Sequence, residues 1–60
     1  MDKLLLTPEE VAEALGVGRT KVYELMRLRL IESVKLGGSR RIPAAALHDY
    51  IERLRQQAVA

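Results

Sequence analysis

Sixty residues hold one small domain, and a chain of that size buries only about 60% of its unfolded surface, so few contacts carry its stability. The absence of cysteine excludes disulfides and thiolate metal sites and suits a reducing, cytoplasmic setting; 48% hydrophobic and 30% charged residues describe a folded domain, not a disordered tail. The apolar runs, Leu4-Leu5-Leu6 among them, fall far short of the ~20 residues that cross a membrane, and Pro8-Glu9-Glu10 follows where a secretory leader would continue.

The first predicted element has clear punctuation. Thr7-Pro8-Glu9-Glu10 places a hydroxyl at the N-cap, proline at the first helical position and glutamate at the third, the pattern of a capping box. Leu6 and Val11 have the spacing of a hydrophobic staple. Val11, Ala12, Ala14 and Leu15 supply an apolar stripe, and Gly16 offers a left-handed stop. The expectation is a helix over about Pro8–Leu15.

Only Gly16-Val17-Gly18 separates it from a second helical pattern, Val22, Leu25 and Met26, with Gly18 as its N-cap. Two short helices joined by a three-residue, glycine-containing link form a helix-turn-helix. On the outer side of the second helix lie Thr20, Glu24 and Arg27, flanked by Lys21 and Tyr23, with Arg19 in the first turn.

Past Arg29 the period changes. Ser33-Val34-Lys35-Leu36 alternates as a strand, Gly37-Gly38-Ser39 is a turn, and Arg40-Arg41-Ile42 is a second short strand that leans on the helices. Pro43 closes this hairpin and opens a third helix with the stripe Leu47, Tyr50, Ile51 and Leu54. Fraying is expected from Gln56 to Ala60, with no packing partner for Val59. The fold class is mainly α within α+β: a single domain over 1–60, ordered about 4–55, of three helices plus a two-stranded hairpin.

Charge divides unevenly along these elements. Residues 1–18 set Lys3 against Asp2, Glu9, Glu10 and Glu13, a net of −3. Residues 19–41 set Arg19, Lys21, Arg27, Arg29, Lys35, Arg40 and Arg41 against Glu24 and Glu32, a net of +5, within an overall +2. Such concentration points to a polyanionic partner.

Catalysis has little to work with. His48 is the sole histidine and reads as a surface residue; Glu9 and Glu10 complement a helix N-terminus; and Gly16-Val17-Gly18 lacks the preceding strand of a dinucleotide loop. The reading is no enzyme, no cofactor, no metal and no membrane. Double-stranded DNA uses more of the residues at once. Arg19, Thr20, Lys21, Tyr23, Glu24 and Arg27 suit a recognition helix in the major groove, where Arg19 can bond guanine bidentately. Lys35, Gly37, Gly38, Ser39, Arg40 and Arg41 suit a hairpin laid along phosphates or in the minor groove. In an extended strand Arg40 and Arg41 face opposite ways, and spacing does not choose between them.

The segments Leu5-Leu6-Thr7-Pro8-Glu9-Glu10-Val11-Ala12-Glu13-Ala14-Leu15-Gly16-Val17, Lys21-Val22-Tyr23, Ser33-Val34-Lys35, Gly37 and Arg41-Ile42-Pro43 resemble the excisionase-like DNA-binding domains of the MerR-type winged helix-turn-helix superfamily. The resemblance spans about residues 4–54. It implies a recognition helix in the major groove, a wing on backbone and minor groove, and a non-catalytic role bending attachment-site DNA beside an integrase. Small MerR-like transcriptional regulators are the alternative within that resemblance, and a basic protein-interaction module is the alternative outside it.

One stretch departs from the family pattern. A glycine, an acidic residue, an apolar residue and often proline usually follow the second helix, whereas this chain reads Leu28-Arg29-Leu30-Ile31-Glu32. The end of that helix is therefore open by a turn. Leu30 and Ile31 are expected to pack on the core or wing. The sharper alternative exposes Leu28 or Leu30 for head-to-tail self-association along DNA.

Overall fold

The computed structural model describes residues 3–59, apart from the side chain of Val59. In chain order it contains strand β1 (Leu5–Leu6), helix α1 (Pro8–Leu15), helix α2 (Arg19–Arg27), strands β2 (Val34–Leu36) and β3 (Ser39–Pro43), and helix α3 (Ala44–Val59). This is the α+β, winged arrangement expected from the sequence, with one additional strand.

Helix α1 begins as its capping box dictates. Thr7 Oγ1 accepts the Glu10 N–H at 3.0 Å, and Glu10 Oε1 accepts the Thr7 N–H at 2.8 Å. At the other end Gly16 turns left-handed (φ 72). Its N–H donates to the Glu13 carbonyl at 3.2 Å while the Val17 N–H reaches the Ala12 carbonyl at 3.0 Å. These two bonds are the Schellman pair, which satisfies carbonyls that a helix end otherwise leaves without partners.

Helix α2 stops at Arg27 by the same device. The Arg29 N–H donates to the Met26 carbonyl at 3.1 Å and the Leu30 N–H to the Leu25 carbonyl at 2.9 Å. The left-handed position is filled by Arg29 (φ 58), the only non-glycine residue with positive φ among the described residues. The departure from the family pattern thus keeps the turn and gives up the residue best suited to it, at a backbone cost of about 1–2 kcal/mol. Beyond this turn Ile31 enters the core at 1% exposure, whereas Leu30 stays 46% exposed. The expected packing of both residues is corrected for Leu30: in non-helical backbone adjacent side chains diverge, and Ile31 takes the inward direction.

The strands form one antiparallel sheet in the order β1-β3-β2. Val34, Lys35 and Leu36 lie opposite Arg41, Arg40 and Ser39. Ser39 is therefore a strand residue and not part of the turn, which is Gly37-Gly38 alone, with Gly37 at φ 63. Leu5 and Leu6 pair with Pro43 and Ile42, and the Ala44 N–H donates to the Leu4 carbonyl at 2.8 Å. The expected two-stranded hairpin thus gains a third strand at its root.

The core draws on every layer: Val11 and Ala12 from α1, Val22 and Leu25 from α2, Ile31 from the turn, Ile42 from β3, and Ala46 and Leu47 from α3. No polar side chain is buried among the described residues. Two expected apolar stripes are trimmed. Ala14 is exposed, because an eight-residue helix on so small a core buries only the Pro8, Val11, Ala12 side. On α3 Tyr50 packs at the core edge, but Ile51 and Leu54 are 36% and 42% exposed, because the helix outruns the body that could cover them. That helix is continuous through Val59 where fraying was expected from Gln56. Ala60 and the side chain of Val59 lie outside the described residues.

Candidate nucleic-acid interface

The outer face of α2 carries the residues singled out from the sequence. Arg19, Thr20, Lys21, Tyr23, Glu24 and Arg27 are all exposed, while Val22 and Leu25 hold the helix to the core. Burial of just these two residues fixes which face is outward. Arg19 Nη1 lies 3.5 Å from Glu9 Oε2 of α1, and Lys21 Nζ lies 3.6 Å from Glu24 Oε1, both pairs exposed. Exposed pairs of this kind are weak, about 0–1 kcal/mol, and exchange readily for a phosphate. Glu24 is thus partnered by Lys21 of the same helix.

The N-terminus of α2 is open. Gly18 provides no side-chain cap, and its first turn holds no acidic residue. In α1 the corresponding end is filled by Thr7, Glu9 and Glu10. Lys3 Nζ lies 2.6 Å from Glu10 Oε2, and this bond, followed by the Thr7 N–H, holds the Glu10 carboxyl below the usual carboxylate range. The anion that a helix N-terminus attracts is therefore built into α1 and absent from α2.

In the wing, Lys35 and Arg40 are cross-strand partners, and Gly37, Gly38 and Ser39 form the exposed tip. Strand alternation sets Arg40 on the face of buried Ile42 and Arg41 on the other. Arg40 Nη1 is 3.5 Å from Ser33 Oγ, and Arg41 Nη1 donates to the Arg40 carbonyl at 2.9 Å. A groove of about 580 Å³ is lined by Met26 and Arg27 at the end of α2, by Arg29, Ile31, Glu32 and Ser33 of the segment that follows, and by Arg40 of the wing. Arg40, and not Arg41, lines the groove that Arg27 also lines. Arg19 stands apart from that groove, at the opposite end of α2.

Two residues had no place in the sequence-based site. Arg29 belongs to the positive middle third but was not among its candidates; it has a left-handed backbone and lines the groove. Arg53 of α3 donates from Nη2 to the Leu30 carbonyl at 2.6 Å, with its guanidinium 5.9 Å from the centre of the Tyr50 ring. It ties α3 to the turn after α2, across 23 positions that no local pattern spans. Leu28 and Leu30, the candidates for protomer contact, are 50% and 46% exposed. His48 is exposed, and among the described residues no group of acidic and histidine side chains is arranged to hold a metal. No helix among them is long and apolar enough to cross a membrane.

Two short helices meeting through Gly16-Val17-Gly18, followed by a basic antiparallel hairpin, define a winged helix-turn-helix. Residues 5–55 match the family model described as "Helix-turn-helix domain". A "Probable excisionase" of Saccharopolyspora erythraea is 51% identical over 59 residues, covering 98% of this chain and 60% of that protein. An "Excisionase" of Streptomyces ambofaciens is 50% identical over 48 residues, covering 80% of this chain and 77% of that protein. The chain belongs to the helix-turn-helix domain family and is excisionase-like within it. It spans less than two thirds of the Saccharopolyspora relative. No solved structure matches it significantly.

Proposed function

We propose that this protein is a recombination directionality factor: it binds specific double-stranded DNA at an attachment site, bends it, and helps an integrase excise an element without catalysing a step itself. The observation that carries the reading is the concentration of exposed cations on α2, the turn after it and the wing, where Arg27, Arg29 and Lys35 make no ion pair among the described residues. Both excisionase relatives support recombination over transcriptional regulation. In this reading Arg19, Thr20, Lys21, Tyr23, Glu24 and Arg27 enter the major groove, and Lys35, Gly37, Gly38, Ser39, Arg40 and Arg41 follow the backbone and minor groove. The protein works in the cytoplasm, on the nucleoid. Exposed Leu28 and Leu30 join neighbouring copies head to tail on tandem sites.

Duplex titration at several salt concentrations tests the assignment. Three to five phosphate contacts give a log–log slope of roughly −3 to −5. Arg19→Ala relaxes sequence preference, while Arg40→Ala combined with Arg41→Ala weakens every duplex alike. Equal duplex binding by the triple variant and the parent removes the assignment. A Leu28→Ser protein that fills tandem sites as cooperatively as the parent removes the protomer contact at that residue.

A further inference from the structure

We propose that Arg29, with Arg27 and Arg40, forms a three-guanidinium clamp for the phosphates of one DNA strand where it passes between the end of α2 and the wing. The inference rests on the DNA-binding reading and adds to it a residue and a place. Its first support is conformational. A helix stop of this type needs only a left-handed residue, and glycine fills that role without strain, as Gly16 does at the end of α1. At the end of α2 the chain places arginine there instead, with φ 58. Strained backbone that persists in a small domain points to a use for the side chain it carries. A favourable cation at a helix C-terminus does not account for it, because Arg27 in the last turn already supplies one without strain.

The second support is where that side chain stands. Arg29 shares the groove with Arg27 from α2 and Arg40 from the wing, so three arginines from three segments line one concavity. Neither Arg27 nor Arg29 makes a salt bridge or a side-chain hydrogen bond among the described residues, and Arg40 has only the long contact to Ser33 Oγ at 3.5 Å. Glu32 also lines the groove, but it borders a second depression with Asp49 and Arg53 and ion-pairs with none of the three arginines. Three cations against one carboxylate leave the concavity positive. The planar, forked guanidinium suits phosphate oxygens bidentately, and a strand held there links the recognition helix to the wing.

The test uses the full chain, a duplex from the DNA flanking its own gene and a random-sequence duplex, titrated by fluorescence anisotropy over a salt series. Arg29→Gly keeps the left-handed turn and removes only the guanidinium. It should weaken both duplexes by a similar factor, about three- to tenfold, and make the log–log salt slope shallower by about 1. Its thermal midpoint should not fall. Arg29→Lys, which keeps the charge, should retain the parent slope, and Arg27→Gln, a change on an exposed helix surface, should reproduce the uniform loss. Parent-like affinity and slope in Arg29→Gly, or a loss confined to the specific duplex, overturns the clamp while leaving the DNA reading intact. A parent protein that binds neither duplex ends both.

Discussion

Helices α1 and α2 are of nearly equal length and stop by the same pair of backbone hydrogen bonds, yet they treat their ends in opposite ways. Each end of α1 is closed by its own sequence: Thr7 and Glu10 complete the first turn, and Gly16 completes the last without strain. Each end of α2 is left unfinished. Gly18 supplies no side chain to the first turn, and Arg29 bears a backbone penalty in the last. The difference separates a self-capped helix from the one that the proposed function places on DNA. α1 supplies the acidic and hydroxyl partners of its own first turn, whereas the first turn of α2 leaves its amides to solvent or to an outside anion.

The strongest way to break the contrast is to remove what pins the end of α2. Ile31 is 1% exposed, and its N–H lies 3.4 Å from the Leu25 carbonyl. Ile31→Ala should cost about 2–5 kcal/mol, most of the stability of so small a domain, and would be read as a steep fall in the urea midpoint. A smaller loss is expected from Gly16→Ala. A Cβ there meets nothing within 4 Å, so the left-handed backbone sets the cost, about 1–2 kcal/mol, offset in part by about 0.4–1 kcal/mol from the stiffer unfolded chain. The corresponding change in α2 should have the opposite sign. Arg29→Gly relieves the same backbone cost but loosens the unfolded chain by about 0.5–1 kcal/mol, a net gain of no more than about 1.5 kcal/mol. If both changes destabilise, the two turns are not equivalent and the contrast fails.

The smallest effect belongs to the closed start of α1. Because Glu10 is held below the usual carboxylate range, its contribution is present above that range and is lost as pH falls from the ordinary carboxylate value through the lowered one. The thermal midpoint of the parent should drop more across that window than that of Glu10→Gln. Parallel profiles would mean that the Lys3–Glu10–Thr7 arrangement contributes nothing to the scaffold.

Legibility in the sequence followed the range of the interactions. The capping box and the Gly16 stop were readable because donor, acceptor and backbone requirement lie within a few residues of each other. The end of α2 was not, because the rule that assigns left-handed positions to glycine failed at Arg29. Strand β1 is two residues long, and its pairing with Ile42 and Pro43 lies across most of the chain, so nothing in Leu4-Leu5-Leu6 distinguishes a strand from an apolar lead-in. The stripe on α3 was correct as a period, but periodicity does not report whether a neighbour exists, and Ile51 and Leu54 have little cover. For the interface, the outward residues of α2 followed from the buried Val22 and Leu25. The groove did not, because it depends on where a non-local hairpin sets Arg40 beside Arg27 and Arg29.

Strand β3 serves two partners in succession. Ser39, Arg40 and Arg41 pair with β2 on one edge, and Ile42 and Pro43 pair with β1 on the other. The hairpin is therefore a cantilever, anchored beside the buried Ile42 and unsupported toward the Gly37-Gly38 tip. Amide hydrogen exchange should step from slow to fast between its root and its free end.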